Sequence, residues 1–217
     1  MVHWTEDLGT DAYRRSFSAG ATLFYAGAPA SELYLIATGR VQLFKRARGV
    51  ERSIGLHGPE ELVGEEALLP GTHRNATAQA IETTQALVIE SDTFRALVRR
   101  RPELGERVMQ QLVRRLQRTE EQLENFLLPD PTIRVLNTLL RAVDDAGEEL
   151  LELSPLELST RTALALDQVK AVVAELRDRD YLSLGDQTIT IGNPAALRQL
   201  HALLSVKEDV RHGLGCR

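Results

Sequence analysis

The hydrophobic period changes once along this 217-residue chain, at Ser91, and that change limits the fold more than any other feature. Before it, short runs alternate apolar and polar residues: TLFYAG, ELYLIATG, RVQLFKR, RSIGLH, TAQAIE and ALVIE. Eight glycines, from Gly20 to Gly71, punctuate them. A period of two broken by turn residues means many short strands, closed as a sandwich or barrel. After it, SDTFRALVRR offers a cap in Ser91 or Asp92 and then helical spacing. Strands first and helices afterwards is an α+β arrangement.

A longer helix starts at Pro102 and runs to about Leu128, roughly 40 Å at ~1.5 Å per residue. Met109, Leu112, Leu116, Thr119, Leu123 and Phe126 recur along it in alternating steps of three and four. So narrow a stripe suits a seam against a second helix, whereas a helix lying on its own β domain wants a wider apolar face. Thr119, the polar position in the seam, is either a register device or faces something polar at the interface. The residues 129–132, PDPT, end the helix: Pro129 stops it, Asp130 caps the next one, and Pro131 fits its first turn. The expected division is therefore 1–101, 102–128 and 129–217. IRVLNTLLRAV continues as helix and DDAGEELLE as a loop.

The last third has its own grammar. Ser154 and Glu157 form a capping box with Pro155 at the first helical position. A short helix, a tight turn at 162–165 and a second helix from Leu166 to Arg179 follow, the latter burying Val169, Val172, Val173 and Leu176. LSL and TITI flank Gly185-Asp186-Gln187 as a hairpin. Helix, turn, helix, hairpin is a winged helix-turn-helix; the plainer reading is a small helical domain with no nucleic-acid role. The exposed face of the second helix offers Leu166, Asp167, Gln168, Lys170, Ala171 and Ala174. Gln168 suits adenine, Lys170 guanine or phosphate, and Asp167 cytosine. Arg161, Arg177 and Arg179 are left for the DNA backbone. From Pro129 onward, however, 10 Lys and Arg face 14 Asp and Glu. That balance is poor for generic affinity to phosphates. NPAALRQLHALLSV reads as a final helix capped by Asn193, and KEDVRHGLGCR as a mobile tail.

Composition excludes several classes. The chain is 43% apolar and 26% charged, with net charge −5 and pI about 5.6. No apolar run approaches a membrane span, and MVHWTEDLGTD has no leader pattern. Cys216 stands alone, so neither a disulfide nor a thiolate metal site is expected. These features point to a cytoplasmic protein without membrane contact. No nucleophile–base spacing, metal-ligand spacing or P-loop suggests an enzyme. No covalent or metal cofactor is expected, and His57 and His73 read as plain loop surface rather than haem ligands.

GEEALLPGTHRNATA places Glu65 and Arg74 between two strand-like segments. Arginine is the side chain for bidentate anion recognition. Glycine lets the backbone come close, and successive N–H groups make an anion nest. The motif therefore suits a phosphate-bearing ligand. The plainer alternative is an Arg74–Glu65 ion pair that only holds the loop.

At this point the chain resembles the CRP/FNR (catabolite-activator) family of bacterial regulators. The resemblance rests on VGEEALLPGTHRNATA, on GRVQLF, and on RRLQRTEEQLENFLL followed by Asp130, and it spans nearly the whole chain. It implies a cyclic-nucleotide-binding β-roll (a jelly roll), a long dimerisation helix and a winged helix-turn-helix. It implies a ligand cassette of Val63, Gly64, Glu65, Glu66, Ala67, Arg74, Asn75 and Ala76. Arg74 would pair with a cyclic phosphate and Glu65 would accept from a ribose hydroxyl. Thr119 and Glu120 would meet the base, and Asp130 would be a hinge. It implies DNA contacts by Arg161, Leu166, Asp167, Gln168, Lys170 and Ala171. The family's usual arginine, glutamate and arginine fall at Leu166, Asp167 and Ala171, so the DNA site should differ from the family consensus. Glu66 stands where cAMP binders carry an apolar residue, and Asn75 where they carry Ser, Thr or Ala. The resemblance implies a homodimer that binds double-stranded DNA and a small effector such as cAMP, with RNA polymerase as a further partner. The competing reading is a CRP-like dimer that acts through a protein partner.

Overall fold

In the computed structural model, residues 13–47, 50–146, 152–185 and 188–213 are described. Cys216, the first twelve residues, Asp186 and Gln187 of the hairpin and 147–151 of DDAGEELLE lie outside them. The chain forms two compact units, Met1–Gln117 and Arg118–Arg217.

The first unit carries two antiparallel four-stranded sheets. Strands β1 (Arg14–Phe17), β8 (Thr84–Glu90), β3 (Glu32–Thr38) and β6 (Leu62–Val63) form one, in the order β1-β8-β3-β6. Strands β2 (Thr22–Phe24), β7 (Thr77–Ala80), β4 (Val41–Ala47) and β5 (Val50–His57) form the other, in the order β2-β7-β4-β5. The central strands β3 and β8 are buried on both faces. Successive strand side chains point to opposite faces. Tyr34, Ile36, Ala86 and Val88 therefore join one apolar cluster with Phe24, Val41, Leu43 and Ala78 of the second sheet. Leu33, Leu35, Leu87 and Ile89 join another, with Phe94, Leu104 and Val108 of the helices that follow. Burying a side chain such as Leu35 contributes roughly 1.5–3 kcal/mol, so two such layers account for the solidity of this unit.

Helix α1 spans Ser91–Arg100 and α2 spans Pro102–Leu127. The cap of α1 is Glu90, one residue before the expected Ser91 or Asp92, and it makes no side-chain cap bond. The Ser91 N–H instead donates to the Ser31 carbonyl at 2.9 Å, which ties the helix entry to the sheet backbone. The first half of α2 has two faces. Leu104 and Val108 are buried against the β unit. Gln111 accepts from the Leu62 N–H at 3.1 Å and donates to the Glu60 carbonyl. Met109, Leu112 and Leu116 remain exposed. The helix thus lies on its own β unit and still presents the narrow stripe.

The second unit contains the end of α2, α3 (Pro131–Ala146), β9 (Glu152–Leu153), α4 (Pro155–Thr162), α5 (Leu166–Asp178), β10 (Ser183–Leu184), β11 (Ile189–Thr190) and α6 (Pro194–Gly213). Asp130 Oδ1 accepts from the Thr132 N–H at 2.7 Å, so it caps α3. The capping box of Ser154 and Glu157 is formed, and Ala163 makes the turn in the left-handed region at φ 55°. Three short strands pair in the order β10-β11-β9 as the wing. Two sequence expectations change here. Part of DDAGEELLE is not loop: α3 runs through Ala146 and Glu152 pairs with Thr190. The tail is helical through Gly213, because no glycine or proline interrupts the helix before that point. Inside the unit, buried Asn125 donates to Thr138 Oγ1 at 3.0 Å and to the Arg161 carbonyl at 3.2 Å. Gln122 donates to the Thr160 carbonyl at 2.7 Å. These bonds lock the end of α2 to the helix-turn-helix.

Candidate functional site

The site is built where β6 ends. Val63 is fully buried and pairs with Tyr34. Gly64 follows in the left-handed region at φ 84°, and a 3-10 turn spans Glu65–Leu68. A Cβ on Gly64 would stand 2.5 Å from Arg74 NH1 and 3.2 Å from the Glu32 carbonyl oxygen. Glycine is required here by both dihedral and space. Thr72 Oγ1 donates to the Glu66 carbonyl at 2.5 Å and the Leu69 carbonyl at 2.8 Å, closing the gap of the motif. The chain then returns beside 27–30. The Arg74 N–H donates to the Ala28 carbonyl at 2.8 Å and the Arg74 carbonyl accepts from the Gly27 N–H at 2.8 Å.

That ladder turns the Arg74 side chain inward, where it is 4% exposed. NH1 donates to the Gly64 carbonyl at 2.9 Å and NH2 to the Glu32 carbonyl at 2.5 Å. The guanidinium lies 4.2 Å from the centroid of Phe24 and 5.7 Å from that of Tyr34. Aromatic faces attract a desolvated cation by up to ~2 kcal/mol. Nε is buried without a hydrogen-bond partner among the described residues. A buried cation with spare donor capacity is costly unless an anion meets it. Tyr34 donates to Glu32 Oε2 at 3.0 Å. Burial first, then the Glu32 carboxylate and its hydrogen bond, push the Tyr34 phenol up to about 12.

Neither glutamate behaves as the simple ion-pair reading expects. Arg74 does not pair with Glu65. Its NH1 lies 3.5 Å from Glu66 Oε2, and Glu65 Oε1 instead accepts from Arg115 of α2 at 2.5 Å. In a tight turn, adjacent side chains point different ways, so neighbours in sequence take different partners. Ala67 and Ala76 are buried and Asn75 is exposed. Of the expected cassette, Gly64 and Glu66 meet the Arg74 guanidinium and the Asn75 N–H meets Glu66, while Glu65 turns to Arg115 and Val63, Ala67 and Ala76 are buried in the neighbouring apolar clusters. Thr119 and Glu120 are exposed on α2 within the second unit.

Sequence reasoning missed Phe24, Glu32, Tyr34 and Arg115. The first three carry only strand signals, and Arg115 carries none beyond its place in a charged helix. His57 is a correction of another kind. It is 6% exposed at the end of β5, with Nδ1 3.6 Å from Glu61, so it is no surface residue, while His73 is exposed. Among the described residues, no group of three His, Cys, Asp or Glu gathers as a metal site.

On α5, Asp167, Gln168, Lys170 and Ala171 are exposed, and Leu166 is half-buried, as is Arg161 at the end of α4. Gln168 Oε1 accepts from the Ala165 N–H at 3.1 Å, so this side chain also serves as a helix cap. Arg177 pairs with Asp178 at 2.7 Å and Arg179 with Glu175 at 2.7 Å.

Residues 14–101 match the family described as the cyclic nucleotide-binding domain. A cyclic AMP receptor protein of Thermus thermophilus is 31% identical over 188 residues, covering 86% of this chain and 87% of that protein. The chain belongs to the CRP/FNR family. A CRP-like cAMP-activated global transcriptional regulator of Mycobacterium tuberculosis is 26% identical over 189 residues, covering 83% of this chain and 84% of that protein. The solved structure of the regulator CLP of Xanthomonas campestris shares the fold, with TM-score 0.67 and 21% identity over 83% of this chain and 93% of that one. The protein is therefore a CRP/FNR-type transcriptional regulator with a cyclic nucleotide-binding domain. Its CRP/FNR relatives are regulators rather than enzymes. Among the described residues, no helix is long and apolar enough to cross a membrane.

Proposed function

We propose that this CRP/FNR regulator is a homodimer whose β-roll cassette binds a phosphate-bearing effector, a cyclic nucleotide, and whose winged helix reads double-stranded DNA. The observation that carries the reading is Arg74: buried, aimed by two carbonyls, resting on Phe24, with Nε unmatched. Such a group recognises an anion by charge-assisted hydrogen bonds. Gly64, Asn75 and Ala76 would line the phosphate, Glu65 the ribose, and Thr119 and Glu120 the base. A cyclic AMP receptor protein and a cAMP-activated regulator among the relatives support a nucleotide effector.

Residues 1–101 would sense the effector, 102–128 would dimerise, and 129–217 would bind DNA, with Asp130 as hinge. The exposed row of Met109, Leu112, Leu116, Leu123 and Phe126 supports the seam, since a solitary helix gains nothing by exposing five large apolar side chains in register. Leu166, Asp167, Gln168, Lys170 and Ala171 would face the major groove and Arg161 a phosphate. A cytoplasmic setting and contact with RNA polymerase belong to the same reading.

Calorimetry of the full chain with cAMP, cGMP and cyclic di-GMP tests it. At least one is expected to bind, and Arg74→Ala should weaken that ligand by about a hundredfold or more, the effect of removing one side of a buried charge pair. No heat with any of the three, or binding indifferent to Arg74→Ala, would sink the cassette.

One observation favours the second reading, action through a protein partner. The arginines at the end of α5 are engaged by its own acids. A salt-titrated DNA-binding assay on a genomic fragment library separates the two. Weak, sequence-independent binding with and without effector favours the partner protein.

A further inference from the structure

Glu66 belongs to the cassette, but the effector reading gives its side chain no ligand atom to meet, and its carboxylate sits where an anion is wanted. Oε1 accepts from the Asn75 backbone N–H at 3.3 Å. Oε2 lies 3.5 Å from Arg74 NH1, and the side chain is 12% exposed. That contact lacks hydrogen-bond alignment: Oε2 is buried without a hydrogen-bond partner among the described residues, and so is Arg74 Nε. Two groups able to make strong charge-assisted bonds therefore lie side by side, each only partly satisfied.

The turn does not depend on this side chain. The Glu66 backbone carbonyl accepts from Thr72 Oγ1 and from the Leu69 N–H, and both bonds survive any substitution. What the carboxylate does supply is charge. One negative charge beside Arg74 offsets the cost of burying the guanidinium. A phosphodiester also carries one negative charge, with more acceptor oxygens and better reach to the free donors.

We propose that the Glu66 carboxylate is an internal stand-in for the effector phosphate, seated on Arg74 and the Asn75 N–H, so that a phosphate-bearing effector binds only by displacing it. Glu66 thereby sets effector affinity and shuts out weakly binding anions. This rests on the reading of Arg74 as the phosphate-binding residue.

The test is calorimetric titration of cAMP, and separately of inorganic phosphate, into the full chain and three variants: Glu66→Leu, Glu66→Gln and Glu66→Leu with Arg74→Ala. Thermal melts check that each is folded, and Glu66→Gln carries the comparison if Glu66→Leu does not fold. Both single variants should bind cAMP about ten- to a hundredfold more tightly than the parent, the scale of one or two charge-assisted hydrogen bonds released to the ligand. The double variant should lose that gain. Affinity equal in parent and single variants, with Arg74 still required, overturns the stand-in and leaves the cassette intact. Weaker binding in the single variants makes Glu66 a ligand contact and also overturns it. Folded proteins that bind neither probe in any form overturn the stand-in, and if cGMP and cyclic di-GMP also give no heat, the Arg74 reading falls with it.

Discussion

The cassette and the exposed face of α5 both have to meet phosphate in the proposed function, and they hold their cations in opposite ways. Arg74 is buried, oriented by carbonyls and floored by aromatic rings. Arg177 and Arg179 stand in solvent, each paired with an acid on or next to its own helix. A cation in a dry, prearranged site attracts an anion strongly and selectively. A solvated cation beside an acid attracts weakly, and salt screens what remains. The geometry of the first unit is the kind that suits small-molecule recognition, as the proposed function requires. DNA recognition by the second, as proposed, would depend on what a groove can add: shape, hydrogen bonds from Gln168 and Lys170, and two copies acting together.

That contrast predicts that one added heavy atom matters far more in the cassette than on α5. Gly64→Ala places a Cβ 2.5 Å from a guanidinium that cannot move without breaking its carbonyl bonds, at φ 84°. The left-handed strain alone costs about 1–2 kcal/mol, and the clash takes the expected loss to about 1–3 kcal/mol in urea denaturation, with effector binding lost as well. Ala171→Ser, on the exposed face of α5, should shift stability by less than about 0.5 kcal/mol. Equal, small effects would mean that the cassette is as adaptable as open surface.

On α5 the contrast predicts a smaller effect. Glu175→Gln releases Arg179 from its acid partner. Affinity for a DNA fragment should rise about two- to fivefold at low salt and the gain should fade at high salt, as expected of an exposed pair. A gain that persists in high salt would place Arg179 in a dry contact, and no gain at all would remove the helix-end arginines from the DNA face.

The sequence exposed those features whose causes are local. The capping box of Ser154 and Glu157 needs only residues three apart, and the period of two in ELYLIAT follows from the strand itself. The heptad row on α2 was legible for the same reason, while its other face was not. Leu104 and Val108 are apolar but Gln111 and Arg115 are not, and only the β unit beneath them gives that row a common direction. In the cassette, Gly64 and Arg74 could be named from spacing and residue chemistry. Their surroundings could not. Phe24, Glu32 and Tyr34 are distant in sequence and reach Arg74 through the closure of two sheets. The exchange of glutamates had no sequence signal, since adjacent identical residues differ only in where the turn points them. The strand β9 was missed because two residues carry no period.

The smallest effect measures how dry the cassette floor is. The Tyr34 phenol, between Glu32 and Arg74, is pushed from 10.0 up to about 12, chiefly by burial and then by the Glu32 carboxylate. The folded state therefore holds this proton more tightly than the unfolded chain does. Its contribution to stability is complete below pH 10 and is lost as pH rises toward 12. Over that window, wild-type stability should fall more steeply with pH than that of Tyr34→Phe, and the phenolate absorbance that appears near pH 12 should be missing from the variant. Arg74 opposes the shift by favouring the phenolate, so Arg74→Ala should delay the absorbance change further. A Tyr34 that ionises at its ordinary pH would mean that water reaches the cassette floor, and the contrast between a dry site and a wet one would fail where it is most sharply drawn.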